Sequence, residues 1–445
     1  MNTPIADFVR QYAASDTARL HMPGHKGRAF LGCEPFDITE IAGADSLYEA
    51  DGIIAESEKN AASLFGTART LFSTEGSSQC IRAMLHLCLS ARKPGTKPVI
   101  VAARNVHKAF VFACALLDFE IVWLFSEQTS SLCACEVSPA ALDETLRALP
   151  EPPAAVYITS PDYLGGMANV AALADICHAH GTLLAVDNAH GAYLRFLSPS
   201  LHPMDQGADI CCDSAHKTLG VLTGGAYLHI SKNAPAVLAD RAKQAMALFG
   251  STSPSYLILI SLDLCNAELS SDYPQRLAEM VQRMDAAKRR LTENGWRILS
   301  SDPLKLTIDA CAAGTTGTEL ARKLREHGIE CEFADHETLV LMLTPENGDE
   351  DLARLENALG RNEAIARPWP ELPAAKGKRM LSVREAMFAP HETIPAHEAL
   401  GRICGAPTVA CPPAIPVAVS GEEITKEALM LFEHYGVEMV DVVAE

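Results

Sequence analysis

Positive charge is in short supply in this chain: 37 Lys and Arg stand against 56 Asp and Glu in 445 residues, a formal net charge of −19. That deficit argues against a nucleic-acid binder, whose affinity comes from basic groups neutralising phosphates. Long apolar runs are missing too. The longest, Ala109 to Phe125, is broken by Asp118 and Glu120, and no basic stretch leading into an apolar run opens the sequence. Neither a membrane span nor an export signal is expected. The 14 cysteines include no Cys-x-x-Cys pair, only a Cys133-Ala134-Cys135 triplet and a Cys211-Cys212 neighbour pair. They read as reduced, mostly buried thiols of a cytoplasmic protein. Internal repeats and low-complexity tracts are absent as well.

What remains is 48% apolar and 21% charged, ample for a buried core, and at about 150 residues per domain the length suggests two to three domains. Short apolar runs at 98–102, 154–159, 182–186, 208–212 and 225–230 alternate with helical patterns. That alternation predicts an α/β domain with a mainly parallel sheet covered on both faces. After Gly76, apolar residues fall at Ile81, Met84, Leu85, Cys88 and Leu89, one face of a helix. A second helix is expected over 169–180, with Val170, Leu173, Ala174 and Cys177 buried. From Pro274 a long amphipathic helix carrying Leu277, Met280, Val281, Met284 and Leu291 stops near Gly295. The boundaries expected are an arm at 1–20, a large domain at 21–273, a small α/β domain at 274–366, and a linker with a last segment at 367–445.

An open parallel sheet places ligands beyond the carboxyl ends of its strands, so the loops there are where chemistry is sought. One such loop reads Asp213-Ser-Ala-His-Lys217. Lys217, if partly desolvated, can lose its proton and form a Schiff base with a carbonyl; otherwise it is a solvated surface lysine. Another reads Asp187-Asn-Ala-His-Gly191. An ionised Asp187 can keep a heteroaromatic nitrogen protonated, or can be a helix N-cap. His190 would contact a ring oxygen or pack in the core. Gly76, Ser77 and Ser78 open a helix and offer a phosphate seat, although a Gly-Ser turn also serves as a plain cap. His107 either stacks on an aromatic ring or belongs to a solvated basic turn. A phosphate seat, a flat lid, an acid for a ring nitrogen and an amine for an aldehyde together match pyridoxal 5′-phosphate. The 30 residues from Asp187 to Lys217 leave room for one connection and the next strand.

Six motifs, His21-Met-Pro-Gly-His-Lys26, Asp37-Ile-Thr-Glu40, Thr159-Ser-Pro-Asp-Tyr-Leu-Gly165, Asp187-Asn-Ala-His-Gly191, Ser214-Ala-His-Lys217 and Ser253-Pro-Ser-Tyr256, resemble the bacterial ornithine/lysine/arginine decarboxylases of fold-type I. The tail is similar to that family's C-terminal domain through Arg384-Glu-Ala-Met-Phe-Ala-Pro390, Gly401-Arg-Ile403 and Pro412-Pro-Ala-Ile-Pro416. The resemblance spans nearly the whole chain and implies the short form without an extra N-terminal wing domain. It implies Lys217 as the cofactor-binding lysine, Asp187 as the pyridinium partner and His107 as the stacker. Ser77, Ser78, Ser214 and His216 would surround the phosphate. Three departures stand out: Glu75 in place of a small polar amide, Ala414 in place of glycine, and Ala410-Cys411 in place of an aromatic-containing pair. The first must turn away from a phosphate; the tail changes bear on which amino acid is used.

The expected reaction is decarboxylation of lysine, arginine or ornithine to the amine and CO2, with Lys217 or His216 returning a proton to Cα. An aminotransferase or another lyase would use the same constellation, with Arg384 or Arg402 as the carboxylate clamp. A non-catalytic regulator would show a broken Lys or Asp. Metal binding through His21 and His25 or His178 and His180 is not expected, because Pro23 and Gly24 interrupt the first pair and the second is only His-x-His. The resemblance further implies at least a homodimer with shared active sites, the 251–256 stretch reaching a partner's phosphate.

Overall fold

The computed structural model describes residues 1–92, 97–126, 131–134, 136–410 and 414–445. Cys135, Cys411, Pro412 and Pro413, named above, lie outside the described residues. In chain order the elements begin α1 (Pro4–Ala13), α2 (Ile53–Phe65), β1 (Arg69–Ser73), α3 (Gly76–Ser90), β2 (Val99–Ala103), α4 (Lys108–Leu117), β3 (Glu120–Leu124), α5 (Pro139–Ala148) and β4 (Ala155–Thr159). Then come α6 (Val170–Ala179), β5 (Leu183–Asp187), β6 (Ile210–Asp213), α7 (Ala215–Thr218), β7 (Ala226–Ile230), α8 (Ala236–Leu248), α9 (Tyr256–Leu269) and α10 (Tyr273–Glu293). The remainder holds β8 (Lys305–Asp309), α11 (Gly317–Glu326), β9 (Phe333–Ala334), β10 (Thr338–Met342), α12 (Asp349–Leu359), α13 (Val383–Phe388), β11 (His391–Pro395), β12 (Thr408–Ala410), β13 (Ile415–Ala418), α14 (Lys426–His434) and β14 (Met439–Val443).

The chain forms two compact units, one of residues 1–95, 154–156 and 170–276, the other of 96–153, 157–169 and 277–445. The first carries the strand order β1-β7-β6-β5 and the opening residues of β4 in a mainly parallel seven-stranded sheet. β5 and β6 run parallel, with Asp187 opposite Cys212. β7 is antiparallel to both β6 and β1, a direction that hydrophobic pattern does not encode. The predicted face of α3 is the buried one: Ile81, Met84, Leu85 and Cys88 are sealed, with Leu89 at its margin. All four apolar residues predicted for α6 are buried. α1 is fixed by a carboxylate: Oδ2 of Asp263 accepts the N–H groups of Ile5 and Ala6, both at 2.9 Å. These two donors lack intrahelical partners, so the acid is a capping group supplied by α9.

In the second unit β2 and β3 pair in parallel. The apolar stretch that ends at Phe125 divides into α4 and β3 at Asp118, which adopts the left-handed conformation at φ 56° and closes the helix. β8, β10 and β9 form a three-stranded antiparallel sheet. Leu277, Met280, Met284 and Leu291 of α10 are buried as the periodicity requires, while Val281, expected with them, is only half-buried. The helix ends before Gly295 at φ 87°, where a Cβ would lie 2.4 Å from the carbonyl oxygen of Asn362. Only glycine fits that turn. β11 and β14, and β12 and β13, make two further antiparallel pairs. Among the described residues no helix is long and apolar enough to cross a membrane.

Candidate active site

The site in the first unit grows from strand ends. β5 is Leu-Leu-Ala-Val-Asp, sealed along most of its length, and its last residue, Asp187, is 2% exposed. Oδ1 of Asp187 accepts the N–H of Ala189 at 3.2 Å, as a turn aspartate does, and the thiol of Cys212 lies 3.7 Å away. β6 ends at Asp213, and the short α7 then lifts Lys217 back over the same edge. Nζ of Lys217 lies 2.9 Å from Nε2 of His190. The lysine is half-buried and the histidine 5% exposed.

His216 takes a different part. Its Nδ1 is 2.9 Å from the carbonyl oxygen of Gly225, so the Nδ1 proton is donated there and Nε2 keeps its lone pair. Burial pushes its pKa below the ordinary value, although the Gly225 bond pulls the other way. The imidazole is neutral at pH 7.

α3 begins at Gly76, whose φ of 70° turns the chain from β1 into the helix. The N-cap, Glu75, makes no side-chain capping bond. The N–H of Gly76 is taken by the carbonyl of Gly224 at 2.8 Å, so it is the N–H groups that follow it in the first turn that face the space in front of the helix. Ser214 donates through Oγ to Oγ of Ser77 at 2.9 Å, a pairing across 137 residues of sequence. Ser78 follows on the same first turn. A Cβ built on Gly76 would find nothing within 4 Å. Helix dipole, hydroxyl pair and open space fit a phosphate. Glu75 turns away from this seat: its carboxylate accepts the N–H of Ser251. Of the stretch 251–256, Ser251 and Ser253 are exposed, whereas Tyr256 is sealed in its own chain with its hydroxyl on the carbonyl of Asp45.

Gly76, Ser77, Ser78, Asp187, His190, Ser214, His216 and Lys217 thus belong to one unit and to one edge of its sheet. His107 lies in the second unit as the N-cap of α4, its Nδ1 accepting the N–H of Ala109 at 3.1 Å. Sequence reasoning missed the polar layer behind the strand ends. Asp213 is completely buried, with Oδ1 2.7 Å from Nδ2 of Asn188. Its Oδ2 lies 3.0 Å from Nε2 of His202 and 3.1 Å from Nε2 of His229. Burial alone would push this carboxyl up, but the two imidazoles more than reverse it and hold it below the usual range. A polar residue ending a sealed strand immediately before Ser214 was the available signal.

The histidines considered for metal are engaged otherwise: His21 with the hydroxyl of Tyr12 at 2.7 Å, His25 with Asp37 at 3.2 Å, and His178 with Asp209 at 3.0 Å. The two candidate carboxylate clamps are engaged as well. Arg384 donates to the carbonyl of Ala115 at 2.9 Å, and Arg402 pairs with Glu392 and the carbonyl of Val443.

Comparison with known proteins bears on the family and the fold. The model of the Orn/Lys/Arg decarboxylase major domain matches residues 3–311. An arginine decarboxylase of Bacillus subtilis is 30% identical over 462 residues, covering 96% of this chain and 92% of that protein. One from Halalkalibacterium halodurans is 28% identical, over the same shares of each. Among solved structures, the lysine decarboxylase of Francisella novicida superposes with a TM-score of 0.81 at 17% identity, covering 99% of this chain and 81% of that one. The constitutive lysine decarboxylase of Escherichia coli gives 0.79 at 17%, covering 100% of this chain and 82% of that one. With a family model over more than half its length and a relative of this identity and extent, the chain belongs to the ornithine/lysine/arginine decarboxylase family.

Proposed function

We propose that this protein binds pyridoxal 5′-phosphate and decarboxylates a basic amino acid to its amine and CO2, with arginine the first substrate to test because several of its relatives carry that activity in their names. The observation that carries the reading is the half-buried Lys217 amine 2.9 Å from His190, on the same strand edge as the buried Asp187 and the phosphate seat of α3. When bound, the cofactor supplies a protonated ring that accepts the electrons of the breaking Cα–carboxylate bond.

Each residue of this chain has a definable task. Lys217 would hold the cofactor's aldehyde, and His190 orients its amine. Asp187 would face the ring nitrogen, where a cation answers the cost of keeping a carboxylate buried. The first turn of α3, with Ser77, Ser78 and Ser214, would hold the phosphate. Nζ of Lys217 would also be the group that returns a proton to Cα of the substrate. The neutral His216 has only its Nδ1 proton, already given to Gly225, so it positions the loop and is not the acid. Arg384 and Arg402, the two candidate clamps, are engaged elsewhere, which weighs against an aminotransferase. We further propose a homodimer, the exposed residues Ser251, Thr252 and Ser253 being the part of that stretch available to a partner.

The test is CO2 release from arginine, lysine and ornithine with keto-acid formation followed in parallel, using Lys217→Ala as the blank. CO2 without keto acid, absent from the variant, is expected. Stoichiometric keto acid, or equal CO2 from both proteins, would overturn the assignment.

A further inference from the structure

A second convergence of chemistry-bearing side chains lies in the second unit, on residues that the proposed reaction does not use. His336 and Glu337 follow one another in the turn between β9 and β10, and His434 ends α14. One donor atom from each lies within 4.8 Å of the other two. Nε2 of His434 is 3.0 Å from Oε2 of Glu337. The rings of His336 and His434 meet edge to face with centroids 5.4 Å apart. Glu337 is 3% exposed, whereas His336 stands in solvent.

Local chemistry explains why neighbouring side chains converge here. Oδ1 of Asp335 accepts the N–H groups of Glu337 and Thr338 at 2.9 and 2.7 Å and the Thr338 hydroxyl at 2.9 Å. That folds 335–338 into an Asx-type turn. Arg367 braces it from outside, its guanidinium donating to the carbonyls of Thr315 and His336. The end of α14 is fixed in turn by Tyr435, whose hydroxyl accepts the N–H of Leu132 at 3.1 Å.

We propose that His336, Glu337 and His434 bind one divalent transition-metal ion, Zn2+ foremost, with water completing the coordination. Two imidazoles and one carboxylate are a recurrent zinc donor set, and one that serves the oxygen-preferring Ca2+ and Mg2+ poorly. Tetrahedral donors held about 2.1 Å from an ion lie about 3.4 Å from one another, close to the Glu337–His434 spacing already present. The exposed His336 ring needs only a side-chain rotation to join them. The guanidinium of Arg367 is directed at carbonyl oxygens, so the buried carboxylate is left to the two imidazoles and the ion they would share. The bound ion would fasten the 335–338 turn to the end of α14.

The full chain, stripped with EDTA, is titrated with Co2+ and with Zn2+ alone, a measurement that needs neither cofactor nor turnover. One equivalent of Co2+ should bind with visible d–d bands and without the charge-transfer band of thiolate ligation; Zn2+ should displace it and raise Tm. His336→Ala removes an exposed ring, and Glu337→Gln keeps the shape of the buried side chain. Each should weaken binding at least ~100-fold, the upper end of what loss of an outer-shell partner produces, and abolish the Tm rise. No stoichiometric uptake by the wild type, a thiolate band, or equal binding by wild type and both variants would overturn the site.

Discussion

Nδ2 of Asn188 donates to Oδ1 of Asp213 at 2.7 Å, and that bond ties the residue after Asp187 to the residue before Ser214. The two strand ends that carry the proposed ring acid and the proposed phosphate contact are therefore joined by side chains as well as by the sheet. His202 and His229 hold the other carboxylate oxygen, and Nδ1 of His229 continues to the Thr70 hydroxyl at 2.8 Å.

Asp213→Ala should accordingly be severe. It leaves an amide and two imidazoles buried with no acceptor, and removing one partner of such a group costs about 3–5 kcal/mol. Because the folded carboxyl titrates below its unfolded value of about 3.9, its contribution is complete at neutral pH and is lost as pH falls through the folded value. Urea midpoints taken from pH 7 downward should show the wild type converging on the variant in acid. A constant difference at every pH would contradict the charge assignment.

Glu75 is the departure that the structure explains most directly. Its carboxylate is taken up by the N–H of Ser251, yet it remains the N-cap of the helix whose first turn would hold a phosphate. Glu75→Gln keeps an acceptor for Ser251 and removes one negative charge, worth about 1 kcal/mol at such range in a partly solvated site. The apoprotein variant should bind pyridoxal 5′-phosphate several-fold more tightly, read by titrating the cofactor's absorbance. Unchanged affinity would mean that the carboxylate is screened from the seat.

Much of this was legible in the sequence where the signal is local. The runs at 182–186 and 208–212 became β5 and β6 with a shift of one or two residues, because a sealed strand is a continuous apolar run. Asp187, expected just past its strand, closes β5, and Lys217 follows the end of β6 within the short α7. β1 escaped notice: Arg69–Ser73 is polar at both ends, and its pairing with β7 is a long-range contact. β3 was hidden in a longer apolar stretch until Asp118 ended α4. The Ser77–Ser214 and Asn188–Asp213 contacts join distant segments, and no periodicity announces them.

Asp162 gives a pH dependence of the opposite sign. Burial pushes its carboxyl up to about 6, outweighing the hydrogen bond from the Gly166 N–H and the charge of Lys305. Between an unfolded value of about 3.9 and that folded value, the native state binds more protons, so stability falls as pH rises through the window. A shift of two units corresponds to roughly 3 kcal/mol at most. Wild-type stability should decline from pH 4 to pH 6 relative to Asp162→Asn, which has no proton to lose. A parallel pair of curves in denaturant melts would refute the assignment.

Ala414 sits at φ 60°, in the left-handed region, at the position where the family resemblance leads one to expect glycine. Its carbonyl accepts the N–H of Lys108 at 2.9 Å, satisfying one of the first-turn donors of α4 that the helix itself leaves without a partner. The conformation is thus held in place by the bond it makes, and the Cβ bears the steric cost of about 1–2 kcal/mol. Glycine removes that cost while returning up to about 1 kcal/mol of chain entropy to the unfolded state. The expected net gain for Ala414→Gly is about 0.5–1 kcal/mol, visible as a raised urea midpoint with an unchanged slope. A lowered midpoint would show that the methyl packs favourably enough to outweigh its backbone strain.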